Sequence, residues 1–193
     1  MALALEERAH RDDILIGDTP KAVKRRGRLK GLTAAGRLWK HSTLADIDGV
    51  VTPSELENLF CFCLVRNPWD RMVSYYHWLR EQSFDHPAIE VARSHEFHGF
   101  LVHDLTRATI GAWPYARYMR DASGQERCNA FIRLEHLESD MQGLVSHLGF
   151  RPNVPHVNRS DRATEYRAYY TPEDRRIVET LCAEDIQRFG YTF

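Results

Sequence analysis

An α/β fold, a parallel sheet with helices on both faces, is what this chain's alternation of strand-like and helix-like segments predicts. Three observations predict it. Phe60-Cys61-Phe62-Cys63-Leu64-Val65 is an unbroken apolar run, the pattern of a strand covered on both sides. Trp69, Met72, Val73, Tyr76 and Leu79 then recur at helical spacing and give the next segment one apolar face. Asn129 to Arg133, followed by a helical stretch to Leu148, repeats the arrangement.

In chain order, Met1 to Ala9 is rich in Ala, Leu and Glu and predicts a helix. Ile14-Leu15-Ile16 reads as a short strand, ended by Gly17-Asp18-Thr19-Pro20. Lys21 to Lys30 carries six basic residues in ten, a run expected to be solvated and mobile or to form an electropositive rim. Thr52-Pro53-Ser54-Glu55 starts a short helix that leads into the Phe60 strand. Asn67 can cap the helix that follows, and Pro68 fits its first position, where a missing N–H costs nothing. Asp70, three residues after the cap, can turn its carboxylate back toward the free amides.

Ser83 to Pro87 breaks the pattern, and Ala88 to Leu105 is expected to be helical and peripheral. Tyr115 to Met119 and Asn129 to Arg133 read as two strands with a tight turn at Asp121-Ala122-Ser123-Gly124. A helix opens at Glu135 and stops at Gly149. Arg151 to Arg162 is a loop, and Thr171-Pro172-Glu173-Asp174 begins a last helix that runs to about Arg188. With no repeat, linker or low-complexity segment, residues 1–193 read as one domain.

Composition narrows the function. A formal charge of −1 excludes a surface given over to nucleic acid. No segment approaches the roughly 20 apolar residues that span a bilayer, and Met1 to Leu5 is too short and too soon followed by acids for a signal peptide. The four cysteines show neither disulfide nor metal spacing, which points to a reduced, cytoplasmic setting. His95-Glu96-Phe97-His98 lacks the two-residue gap of a zinc-protease helix, so no metal is expected.

The chemistry concentrates where the Phe60 strand meets its helix. Arg66 stands at the strand's carboxyl end and Ser74 about two turns into the helix. Open α/β sheets bind ligands at that edge, and helix amides favour phosphate there. Arg66-Asn67-Pro68-Trp69-Asp70-Arg71, with Ser74 and Tyr76, resembles the 3′-phosphate motif of sulfotransferases that use 3′-phosphoadenosine 5′-phosphosulfate (PAPS). The resemblance implies that Arg66 and Ser74 hold the nucleotide's 3′-phosphate. Lys40-His41-Ser42-Thr43-Leu44-Ala45-Asp46-Ile47 is similar to the His-containing stretch of the heparan sulfate 2-O-sulfotransferase branch, which nominates His41 as catalytic base. Histidine suits that role because its unperturbed pKa lies near neutrality. Lys40 either adds charge beside the transferring group or is solvated.

Pro155 to Arg162 resembles the loop that closes over the nucleotide in the same family, with Arg159 and Ser160 as phosphate donors. Asp185 to Tyr191 resembles its C-terminal signature, and the likeness runs from about His41 to the end of the chain. The resemblance implies a parallel α/β sheet related to nucleotide kinases. It also implies PAPS as donor, no metal, and a hydroxyl-bearing acceptor, foremost a carbohydrate.

One part of the family pattern is missing, the strand and Pro-Lys-Thr-x-Gly-Thr-Ser loop that cradles the 5′-phosphosulfate. Either Lys21, Lys24 and Arg25 replace it in another arrangement, or Met1 to Arg8 is the helix that would follow such a loop; the second reading is favoured. The rival function is a catalytically idle protein of this fold that binds an anionic glycan or nucleotide. A P-loop kinase fits less well, since no phosphate loop with Lys-Ser/Thr and no carboxylate for Mg²⁺ stands out.

Overall fold

Two short strands pair in the computed structural model, which describes residues 1–155, 162, 163 and 165–193. β1 (Phe62–Val65) and β2 (Ala130–Arg133) form a small parallel sheet in an otherwise helix-rich fold. Pairing starts one residue before β1. The Asn129 N–H donates to the Cys61 carbonyl at 2.7 Å, and the Cys61 N–H donates to the Asn129 side-chain oxygen at 2.7 Å. In a parallel strand the N–H and C=O of one residue point the same way and alternate along the chain. Cys61 faces β2, so Phe62 and Leu64 turn their backbone groups to the opposite edge, where the described residues supply no strand. The side chains behave as the apolar run requires. Cys61 and Cys63 pack with Leu56, Met119 and Phe131 on one face; Phe60, Phe62 and Leu64 pack with Ile132, Met141 and Leu144 on the other.

The described residues divide into two compact units. The first holds Met1–Leu64 and 116–155. Its leading helices are α1 (Ala2–Glu6), α2 (Pro20–Arg25) and α3 (Pro53–Asn58). Glu6 is buried and caps α2 from a distance, accepting from the N–H groups of Lys21 (3.0 Å) and Ala22 (3.2 Å). Burial opposes its charge, but the Thr19 hydroxyl, those two amides and the Lys21 ammonium hold its carboxyl below the usual range. The Lys21–Lys30 run is structured, although four of its six basic residues (Lys24, Arg26, Arg28 and Lys30) are exposed as expected. It forms α2 and a 3₁₀ segment (Arg26–Gly31), with Arg25 bonded to the His10 carbonyl at 2.7 Å and Arg28 to that of Arg11. Ile14 to Ile16 makes no strand, because a three-residue apolar run with no neighbouring strand has nothing to pair with; Ile14 is left exposed. α3 opens at Thr52, as expected, with a capping box between Thr52 and Glu55.

The expected Tyr115–Met119 strand is instead one helical turn, α8 (Tyr115–Tyr118). The buried Asp185 carboxylate accepts from the Tyr115 N–H at 3.0 Å, satisfying a donor at the turn's start. The Asp121 turn forms as read. Its carboxylate collects the Ser123 hydroxyl, the Arg127 guanidinium and the amides of Ser123 and Gln125, which hold its pKa at about 2. After β2, the expected single helix is broken into α9 (Leu137–Asp140) and α10 (Gln142–Leu148), closed by Gly149 at φ 71°.

The second unit holds Val65–Tyr115 and the described residues from 162 onward. α4 (Pro68–Glu81) is its axis, with Trp69, Met72, Val73, Tyr76 and Leu79 all buried. α5 (Pro87–Ser94), α6 (Phe97–Val102) and α7 (Asp104–Gly111) follow. They are central rather than peripheral: Ala92, Phe100 and Leu101 are completely buried in the α4 core. The expected periphery fails because these segments carry enough apolar surface to cover α4. The last helix splits at Cys182 into α11 (Pro172–Leu181) and α12 (Ala183–Phe189).

His98 on α6 lies 2.6 Å (Nδ1) from the carboxylate of Asp174 on α11, which is itself buried and bonded to Thr171. That hydrogen bond raises the His98 pKa above its ordinary value. The charged imidazole thus favours the folded state. Its contribution is complete below the unfolded-state pKa and is lost as pH rises through the raised one. The urea midpoint of the wild type should fall across that window relative to His98→Gln, whose profile should lack this component. Parallel profiles would exclude the effect.

Candidate functional site

The β1–α4 junction is fixed by Asn67. Its side-chain oxygen accepts from the N–H groups of Trp69 (3.0 Å) and Asp70 (3.4 Å), and its amide donates to the Thr192 carbonyl at 3.2 Å. Asn67 thereby caps α4, as expected, and ties its first turn to the C-terminal segment.

With that cap in place, Asp70 does not turn back on the amides. Its carboxylate accepts the Arg66 guanidinium through Nε (2.7 Å) and Nη2 (2.6 Å), and on its other oxygen Nη2 of Arg162 (2.5 Å). The side chains of Arg66, Asp70 and Arg162 are 27%, 19% and 10% exposed. Two guanidinium groups facing one carboxylate leave a surplus positive charge at the start of a helix, where the backbone dipole also favours an anion. Arg66 is thus held in one orientation before any ligand arrives, which lowers the entropy cost of binding.

Ser74 lies four residues beyond Asp70 on α4, so the two share a helix face. It is half-buried. Arg66 and Ser74 therefore belong to one unit, separated along the chain by Asp70. Arg159 and Ser160 lie outside the described residues. Arg162 was missed as a partner of this junction: nothing in its spacing from Asp70 announces a contact made 92 positions away. The only signal is its place in the basic loop that contains Arg159.

His41 belongs to the other unit, in a turn with little freedom. Gly36 and Ala35 donate backbone hydrogen bonds to the carbonyls of Asp46 and Asp48, and the Thr43 hydroxyl donates to the Asp46 carboxylate while accepting from the Asp46 N–H. A Cβ added at Gly36 would sit 2.1 Å from the Asp46 carboxylate, so the chain can pass there only without a side chain. The Ser42 hydroxyl closes the turn over the Trp39 N–H at 2.9 Å and the Arg37 carbonyl at 2.8 Å. The His41 ring stands edge-on to Trp39, centroids 4.7 Å apart. Partial desolvation, and then the Lys40 charge, lower its pKa despite the opposing pull of Asp18. At neutral pH the imidazole is therefore uncharged and able to take a proton. Lys40 pairs with Asp18 at 3.2 Å, and Arg26 shares that carboxylate at 3.1 Å.

Among the described residues, no three His, Cys, Asp or Glu side chains form a metal-binding group, and no helix is long and apolar enough to cross a membrane. A family model described as "Sulfotransferase family" matches residues 36–192, a span that includes His41, Arg66 and Ser74. Comparison with curated proteins finds no match, and neither does comparison with solved structures.

Proposed function

Because this chain belongs to the sulfotransferase family, we propose that it transfers a sulfuryl group from PAPS to a hydroxyl, with a carbohydrate as acceptor. The observation that carries the donor half is the guanidinium of Arg66, locked at the α4 N-terminus beside a surplus positive charge. The described residues fit the 3′-phosphate: Arg66 supplies charge-assisted donors and Ser74 a hydroxyl on α4; by the family resemblance, Arg159 and Ser160 add phosphate donors that close over the nucleotide. PAPS, when bound, provides the activated sulfuryl group. His41 provides the base, removing the acceptor's proton as the hydroxyl oxygen bonds to sulfur and the sulfur's bond to the bridging phosphate oxygen breaks, releasing 3′,5′-ADP. Positioning and fixed positive charge do the rest, with no metal.

The carbohydrate assignment is supported by the likeness of Lys40 to Ile47 to the carbohydrate branch of the family. We place the activity in a single cytoplasmic domain, the setting that the spacing of the four cysteines in the sequence suggests.

Calorimetry with 3′,5′-ADP tests the donor half. Arg66→Ala should weaken binding roughly thirtyfold, about 2 kcal/mol, the loss of charge-assisted hydrogen bonds to phosphate. The fold should hold, since Asp70 keeps Arg162. Unchanged affinity would remove Arg66 from the nucleotide site.

A further inference from the structure

Ile14 and Leu15, the apolar pair that finds no strand to join, border a cleft of about 350 Å³ together with Leu29 and Leu32. That volume is in the range of small-molecule sites. All the lining residues fall between Arg11 and Leu32, inside the first unit. The cleft therefore lies upstream of residues 36–192, the span that the family model matches, and is no part of the matched pattern.

The charges around this apolar lining do not cancel. Arg11, Arg25 and Arg28 stand against Asp12 and Asp13, a surplus of one positive charge. Asp13 already accepts from the His10 N–H at 2.7 Å. None of the three arginines pairs with a carboxylate among the described residues. Arg25 rests Nη1 on the carbonyls of His10 (2.7 Å) and Asp13 (3.4 Å), and Arg28 rests its own Nη1 on that of Arg11. Both guanidinium groups are thus tied to one turn, while Nε and Nη2 of each have no hydrogen-bond partner among the described residues. A guanidinium fixed before binding loses little entropy when it takes an anion. A monoanion matches the surplus, whereas a second negative charge would be repelled by Asp12 and Asp13. An inorganic anion would leave the four aliphatic side chains in water; an alkyl chain covers them.

We infer that this cleft binds an aliphatic carboxylate, its head on Arg25 and Arg28 and its chain along Ile14, Leu15, Leu29 and Leu32. The site is separate from sulfuryl transfer and needs neither His41 nor Arg66.

Calorimetry of the full chain with sodium octanoate tests it. Wild-type protein should bind octanoate, and hexanoate about tenfold more weakly for the two methylenes lost. Octanol and octyltrimethylammonium, which offer the same chain without the anion, should bind far more weakly than octanoate. Arg28→Gln should weaken octanoate about tenfold by removing charge-assisted donors. Ile14→Asp should do the same by setting a like charge in the chain's path; Ile14 is 48% exposed, so the thermal midpoint should hold. Both variants should keep wild-type 3′,5′-ADP affinity. If Arg28→Gln lowers the thermal midpoint, Ile14→Asp and the headgroup series decide. Wild-type protein that ignores octanoate, or takes octanol equally well, overturns the site, as does full octanoate affinity in Ile14→Asp. Displacement of octanoate by 3′,5′-ADP would give these arginines to the nucleotide and also overturn it. So would sedimentation with phosphatidylglycerol vesicles without uptake of free octanoate, the mark of a membrane-facing surface.

Discussion

His41→Ala should lower kcat for sulfuryl transfer about a thousandfold, the usual contribution of a positioned general base. The 3′,5′-ADP affinity should not change, because Arg66 and Ser74 lie in a different part of the chain. The pH profile separates a base from a merely structural group. The wild-type His41 pKa is lowered by desolvation and by Lys40. Activity should therefore climb with pH below the ordinary histidine range and be level by neutrality. His41→Ala and His41→Gln should both lose that acidic limb. A variant that retained the limb while losing rate would assign His41 to positioning. Full activity in a labelled-donor assay would remove it from the reaction.

Asp70→Ala should be the most damaging single change at the β1–α4 junction, costing about 3 kcal/mol of folding stability. It strands two guanidinium groups at once, and Arg162 is nearly shut off from water. Breaking such a cluster from its centre leaves charge without a partner, which costs more than the intact pair contributes. Arg66→Ala should be much milder, because the Asp70–Arg162 pair survives it. Adding Arg66→Ala to Asp70→Ala should recover part of the loss, since one stranded cation is then gone. Urea denaturation of the three variants measures this ordering. Wild-type stability in Asp70→Ala would show that the two arginines are solvated well enough to need no counter-charge.

Short-range chemistry was readable in the sequence. Asn67, Thr52 and Thr171 each cap the helix assigned to them because the bonds involved span only two or three residues. The Phe60 strand was readable for the same kind of reason, its apolar run demanding cover on both faces. What escaped depends on contacts remote in sequence. Tyr115–Tyr118 has strand-like composition, but Asp185 caps its helical turn from 70 positions away. Asp70 has the spacing of a capping-box acid, yet two arginines outcompete the amides for it. The helical structure of the exposed basic run at Lys21 escaped because the carbonyl partners of Lys21, Arg25 and Arg28 leave no mark in a sequence. At the site, Arg66 and His41 could be nominated from resemblance. Arg162 could not, since its significance is in the carboxylate it meets.

β1 also makes demands on the nascent chain. Phe60 to Val65 is a hexapeptide without charge, proline or glycine, the composition that self-associates into cross-β stacks when uncovered. The partner that first satisfies it, Asn129, is 68 positions further along. Until that stretch emerges and returns, the segment stays sticky, and even in the finished fold the amides of Phe62 and Leu64 face away from β2. Chaperone protection during synthesis, and dilution during refolding, address that interval.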